Sequence, residues 1–226
     1  SSGSFEMDAN TTLRVQSGTM VLDALSTWEG VGSLSITGGT FDVAVDTEIK
    51  SNLSLGSSSS AILTGAGEIT VGGQFNWSGG RLQGTGKLIT SGASVFSGST
   101  KYLDRTVDNA VGGTTTWTSG SIANGTGVYN NFGTVDAQLG GSLGSGNVFN
   151  NAGTLIRNGT STSSTFTVNA AFNNTGAVHV QSGRLHFGGG GTSSGSFQLD
   201  TGTVMRIQGG TMALDAGSTW LPGDGT

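Results

Sequence analysis

The chain has 226 residues, 42 of them Gly, with one Pro, no Cys, 10% charged residues and a formal net charge of −5. The absence of Cys excludes disulfide staples and thiolate metal sites. Nine basic residues scattered among fourteen acidic ones exclude the basic stripe that nucleic acid requires.

Hydrophobic residues reach 34% and recur at regular intervals, so the chain is not of the low-hydrophobicity, high-charge type that stays disordered. No run of about 18 apolar residues occurs, so no membrane insertion by this segment is expected. Ser1-Ser2-Gly3-Ser4 lacks the basic start and apolar core of a signal peptide.

In chain order, the first predicted elements are short strands that follow a Gly-Thr pair, at Gly18-Thr19-Met20-Val21-Leu22 and Gly39-Thr40-Phe41-Asp42-Val43. Gly65-Ala66-Gly67 and Gly84-Thr85-Gly86 precede the next, at a spacing of 84 − 65 = 19. Three aromatic-Asn-Asn-x-Gly segments then begin at Tyr129, Phe149 and Phe172, at spacings of 149 − 129 = 20 and 172 − 149 = 23. Each leads into an alternating strand: Thr134-Val135-Asp136-Ala137, Thr154-Leu155-Ile156-Arg157 and Ala177-Val178-His179-Val180. The Gly-initiated strand returns at Gly183-Arg184-Leu185-His186-Phe187 and Gly210-Thr211-Met212-Ala213-Leu214, and the single Pro222 falls in a Gly-Asp-Gly turn region.

A coil of about 20 residues cannot bury an apolar face alone, but stacked coils can. Each strand then pairs with its equivalent one coil away, at about 4.8 Å. Gly supplies positive φ at the corners. Asn tolerates the same geometry, and its amide can ladder with the next coil. The expected ladder residues are Tyr129, Asn130, Asn131, Phe149, Asn150, Asn151, Phe172, Asn173 and Asn174, with the three rings stacked inside. The predicted fold is all-β, a right-handed parallel β-helix of about ten coils of roughly 20–23 residues with essentially no α-helix.

A longer period overlies the short one. Residues 1–28 and 193–220 agree at 18 of 28 positions without a gap, a period of 193 − 1 = 192. Gly30-Val31-Gly32 reappears, after a one-residue slip, as Gly223-Asp224-Gly225. Residues 1–192 therefore read as one long unit, and 193–226 as the start of the next, continuous with the first.

Candidate chemistry is sparse. His179 and His186 lie on successive strands with no acidic neighbour in sequence, which reads as surface strand positions rather than a metal site. Asp104 and Asp108 flank Arg105, and Asp42, Asp46 and Glu48 form a second acidic patch. Paired carboxylates serve glycoside hydrolysis. The plainer expectation for the first group is a surface-facing insertion in which Arg105 neutralises its neighbours. Gly188-Gly189-Gly190-Gly191 lacks the Asp of a calcium-binding nonapeptide. The Thr-rich runs at 114–116, 160–162 and 165–167 do not share one coil position, as an ice-binding face requires. Trp28, Trp77, Trp117 and Trp220 read as core or corner packing before sugar stacking. No catalytic residue, cofactor or metal ligand is assigned.

The segment Leu103-Asp104-Arg105-Thr106-Val107-Asp108-Asn109-Ala110, followed by Gly113-Thr114-Thr115-Thr116-Trp117, resembles a signature of very large bacterial surface repeat proteins. The Asn-Asn-x-Gly strands and Ser182-Gly183-Arg184-Leu185 extend the likeness. That group is similar to filamentous-haemagglutinin-like adhesins and autotransporter passenger domains. The resemblance implies a parallel β-helix exported to the cell surface, not an enzyme, with a structural or adhesive role. Neither end of the sequence shows a capping segment, so both should offer open β-edges, and the expected partners are other copies of itself, as adjacent repeats or end to end, with host or matrix polysaccharide as a further one. A carbohydrate-binding adhesin module is the alternative, followed by a polysaccharide-degrading enzyme or an ice-binding protein.

Overall fold

The computed structural model describes residues 3–56, 58–221 and 223. Ser1, Ser2, Pro222, Asp224 and Gly225, which carried the signal-peptide, turn and second Gly-x-Gly expectations, lie outside the described residues. Thirty-one short strands follow one another with no helix among the described residues. Every strand pairing is parallel, and the strands stack as a β-solenoid of about ten turns.

Each turn lays strands on three faces in succession. The second face is unbroken, with eleven strands from Thr12–Val15 to Thr219–Leu221. The first face holds nine strands from Thr47–Ile49 to Met212–Leu214. It is extended at the N-terminal end by the paired strands Ser4–Met7 and Thr27–Gly30. The third face has five strands, Thr19–Leu22 to Lys101–Leu103, and then four, Gly141–Leu143 to Val204–Ile207. Between these two sets its ladder narrows to Ile122, which bridges Lys101 and Leu143.

Register on the second face runs Leu13, Leu34, Leu53, Phe75, Ser94, Thr115, so successive turns take about 20 residues each. Alternation along each strand sends every second side chain inward. Leu53 and Leu55 are buried and Ser54 between them is not. The interior holds one continuous apolar column, in which Trp77, Phe96 and Trp117 meet edge to face at 5.1 and 5.5 Å. Burial of each such ring contributes about 1.5–3 kcal/mol. No turn closes a core alone, so stability accumulates turn upon turn.

Glycine fills two distinct needs. Asn10 takes a left-handed φ of 66°, and its counterpart one long period on is Gly202, at 76°. Gly18, Gly39, Gly65, Gly84, Gly183 and Gly210 take the positive φ expected at the corners, whereas the column Gly133, Gly153, Gly176, Gly195 does not. Its constraint is close approach. A Cβ at each of these positions would lie 2.1 Å from the carbonyl oxygen of the Gly one turn below.

Candidate functional site

The aromatic-Asn-Asn segments stand directly above one another on the first face. Tyr129 pairs with Phe149 and Phe149 with Phe172, and their rings meet edge to face inside at 5.5 and 5.3 Å. Burial pushes the Tyr129 hydroxyl pKa up, against a hydrogen bond of 2.7 Å with Thr115. The second Asn of each pair shares the parity of the ring and turns inward. The Nδ2 of Asn109 donates to Asn131, Asn131 to Asn151 and Asn151 to Asn174, at 2.7, 2.7 and 2.8 Å. Asn174 donates to Ser193 Oγ at 3.1 Å. Each Nδ2 of Asn109, Asn131 and Asn151 also donates to a backbone carbonyl of the next turn, that of Thr134, Thr154 or Ala177.

The first Asn of each pair faces outward and forms a ladder of opposite sense. Thr192 donates to Asn173, Asn173 to Asn150, Asn150 to Asn130, and Asn130 to Asp108. Asp108 can only accept, so it ends the row, and Lys87 binds it at 2.9 Å. That pairing raises the Lys87 pKa. Two neighbouring amide columns, one dry and one wet, thus run antiparallel along the first face.

Among the described residues, three cations are buried with no carboxylate bonded to them. Lys101 is fully buried and donates to the carbonyls of Ser99 and Ser119 at 3.1 and 3.3 Å. Burial lowers its pKa to about 8. Arg157, also fully buried, donates to the carbonyls of Ala137, Leu139 and Arg184 and to Ser164 Oγ. Arg105 donates to the carbonyls of Gly67, Gln83 and Lys87. Burial lowers both guanidinium pKa values. The expectation of a surface insertion neutralised by Arg105 is therefore corrected. Arg105 points in to corner carbonyls, Asp108 pairs with Lys87, and Asp104 accepts from the Thr126 amide at 3.1 Å.

The histidines also differ from their sequence picture. His179 does have an acidic neighbour, Asp200, brought alongside by the next turn at 2.8 Å. His186 is covered rather than on the surface. Burial and the flanking Arg206 and Arg184 lower its pKa. Among the described residues, no group of three or more His, Asp or Glu is placed to share a metal ion. Trp77 and Trp117 are core residues and Trp28 packs against the core, whereas Trp220 is 57% exposed.

That exposure belongs to an open end. A cleft of about 240 Å³ in the last turn is lined by Phe187, Phe197, Met205, Ile207, Met212, Leu214 and Trp220. Five of these are the counterparts, one long period on, of Leu13, Val15, Met20, Leu22 and Trp28. In the first copy the same positions are covered. Leu34 and Ile36 stack on Leu13 and Val15, Phe41 and Val43 stack on Met20 and Leu22, and Trp28 meets Phe41 edge to face at 6.0 Å. Val15 and Leu22 are 6% and 0% exposed, and Ile207 and Leu214 are 45% and 48% exposed. The opposite end likewise leaves Ser4–Met7 and Thr12–Val15 as outermost strands, with Phe5 and Leu13 in a shallow groove.

Comparison with models of protein families, with characterised proteins and with solved structures finds no match to this chain.

Proposed function

We propose that this chain is a segment of an extracellular structural and adhesive rod, part of a giant bacterial surface protein or filament built from tandem copies of the long unit. The observation that carries the proposal is the pair of equivalent layers. The apolar layer exposed at residues 204–220 repeats, with conservative changes, one that residues 33–48 cover in the first copy. A soluble monomer that keeps such an edge invites association, and a further copy supplies the cover. Continuous parallel ladders make the rod stiff, and its stability is a sum over turns. The adhesive half of the proposal rests on the outward rows of amides and hydroxyls, which offer polysaccharide a repeating polar surface.

Electron microscopy of native secreted material tests the proposal. The expected result is long unbranched fibres with an axial spacing of about 4.8 Å. Isolated short particles overturn the rod. Saccharide binding by such particles establishes the adhesin module instead.

A further inference from the structure

The long period and the three-faced turn do not share a whole-number ratio. Twenty-seven strands precede Ser196–Leu199, and the single-residue bridge at Ile122 fills one more place on the third face. Twenty-eight places divided among three faces make nine turns and one third. The consequence is visible in the ladders. Ser4–Met7 lies on the first face, but its counterpart Ser196–Leu199 pairs with Ala177–Val180 on the second. Thr12–Val15 lies on the second face and Val204–Ile207 on the third. Thr19–Leu22 lies on the third face and Met212–Leu214 on the first.

Local structure is nonetheless copied. Phe5 pairs with Trp28 on the first face, and Phe197 pairs with Trp220 on the second. The Asp8 carbonyl accepts from the Thr11 amide at 3.2 Å, and Asp200 accepts from Thr203 at 3.2 Å. Asp23 Oδ1 accepts from the Leu25 amide, and Asp215 Oδ1 from Gly217, both at 3.0 Å. One sequence thus builds one local shape on two different faces. This is possible because all three faces send alternate side chains inward and the inward side chains of the repeated strands, such as Phe5, Leu13, Val15, Met20 and Leu22, are apolar and need no special partner.

We propose that tandem copies in the rod are rotated by one face each. This inference rests on the tandem reading above. Each copy advances the axis by about 45 Å at the usual strand spacing and turns it by about 120°, added to the coil's own small twist. Three copies complete 28 turns and restore the starting face. Any outward feature, such as the amide row of Asn130, Asn150 and Asn173, then points in three directions along one rod. A polymer or second rod that recognises it can be held on every side, so the rod cross-links in three dimensions and does not assemble into a flat ribbon.

The Cys-free chain allows two clean tests. In this chain, the double variant Ala177→Cys, Ser196→Cys is expected to form a disulfide under mild oxidation, and Asn173→Cys with Ser196→Cys is not. The opposite pattern removes Ser196 from the second face and overturns the phase shift alone. In a chain of three tandem units, one gold-labelled cysteine per copy at Thr27 is imaged by electron microscopy. Labels that step round a single continuous axis, about 45 Å apart along it, support the proposal. Labels in line on one side of a continuous rod overturn it and leave the tandem rod standing. Copies that form separate particles without a common axis overturn both.

Discussion

At the scale of the residue, position relative to the sheet decides what an amide is worth. Asn150 and Asn151 are neighbours in sequence with the same side chain, yet one is outward and half-buried and the other is fully buried. Asn151→Ala removes the acceptor of Asn131 Nδ2 and the donor to Asn174 Oδ1 and the Ala177 carbonyl. Leaving buried polar groups unpaired costs about 1–3 kcal/mol each, so this variant should lose at least that much in urea unfolding. Asn150→Ala, whose partners reach water, should stay within about 1 kcal/mol of the parent. Equal losses would show that the inner ladder carries no special weight.

Lys101 gives the pH counterpart. Its folded pKa lies near 8, below the ordinary 10.5. Between those values the unfolded chain holds a proton that the folded chain has released, so stability rises with pH there. Below pH 8 the full penalty of the buried charge is present. The parent should therefore gain stability relative to Lys101→Met between pH 8 and pH 10, measured by denaturant titration of both proteins. Comparison with the variant removes contributions common to the two, including that of the buried Tyr129 hydroxyl. A constant difference across that range would mean that Lys101 is solvated.

Elements show what the sequence made legible. Short strands, the absence of helix and turns of about 20 residues were readable because Gly and aromatic-Asn-Asn recur at that spacing. The ladder could be foreseen for the same reason, since the same ring-Asn-Asn order in each turn aligns Asn130 with Asn150 and Asn150 with Asn173 although the turns differ in length. Burial of Lys101, Arg105 and Arg157 was missed, although a signal existed. Lys101 shares the parity of Leu103, and Arg157 that of Leu155, so alternation points each inward with its leucine. The ordinary outward preference of cations masks that signal, because apart from Ser99, which lies beside Lys101 in sequence, the carbonyls that receive them come from other turns at spacings no local pattern reveals. Asp200 beside His179 was hidden for the same reason. The glycine column shows how tightly the turns pack. Gly153→Ala would set a methyl 2.1 Å from the Gly133 oxygen, beside the Phe132 backbone. Backbone has to move, which costs about 1–3 kcal/mol as for overpacking elsewhere. A melting temperature unchanged from the parent would show that the ladder can open locally without loss.

At the scale of the whole molecule the question is what completes the last turn. Its apolar layer repeats, with conservative changes, a layer that the same chain already knows how to cover. Extending the chain beyond residue 226 with the sequence of residues 34–56 should therefore seat Leu34-, Ile36-, Phe41- and Val43-like side chains on Met205, Ile207, Met212 and Leu214. Each fully buried aliphatic side chain contributes about 1.5–3 kcal/mol, although ordering the new turn offsets much of this. The sharper readout is therefore local. Amides of residues 204–214 should gain hydrogen-exchange protection, and the Trp220 emission, isolated by difference against Trp220→Phe, should shift to the blue. An extension of the same composition in shuffled order serves as the control, because it keeps the hydrophobicity and loses the alternation. Equal protection by both extensions would mean that the end is sticky but unspecific. Protection by the native order alone would make the exposed layer a template, one that selects its cover by strand register and side-chain parity.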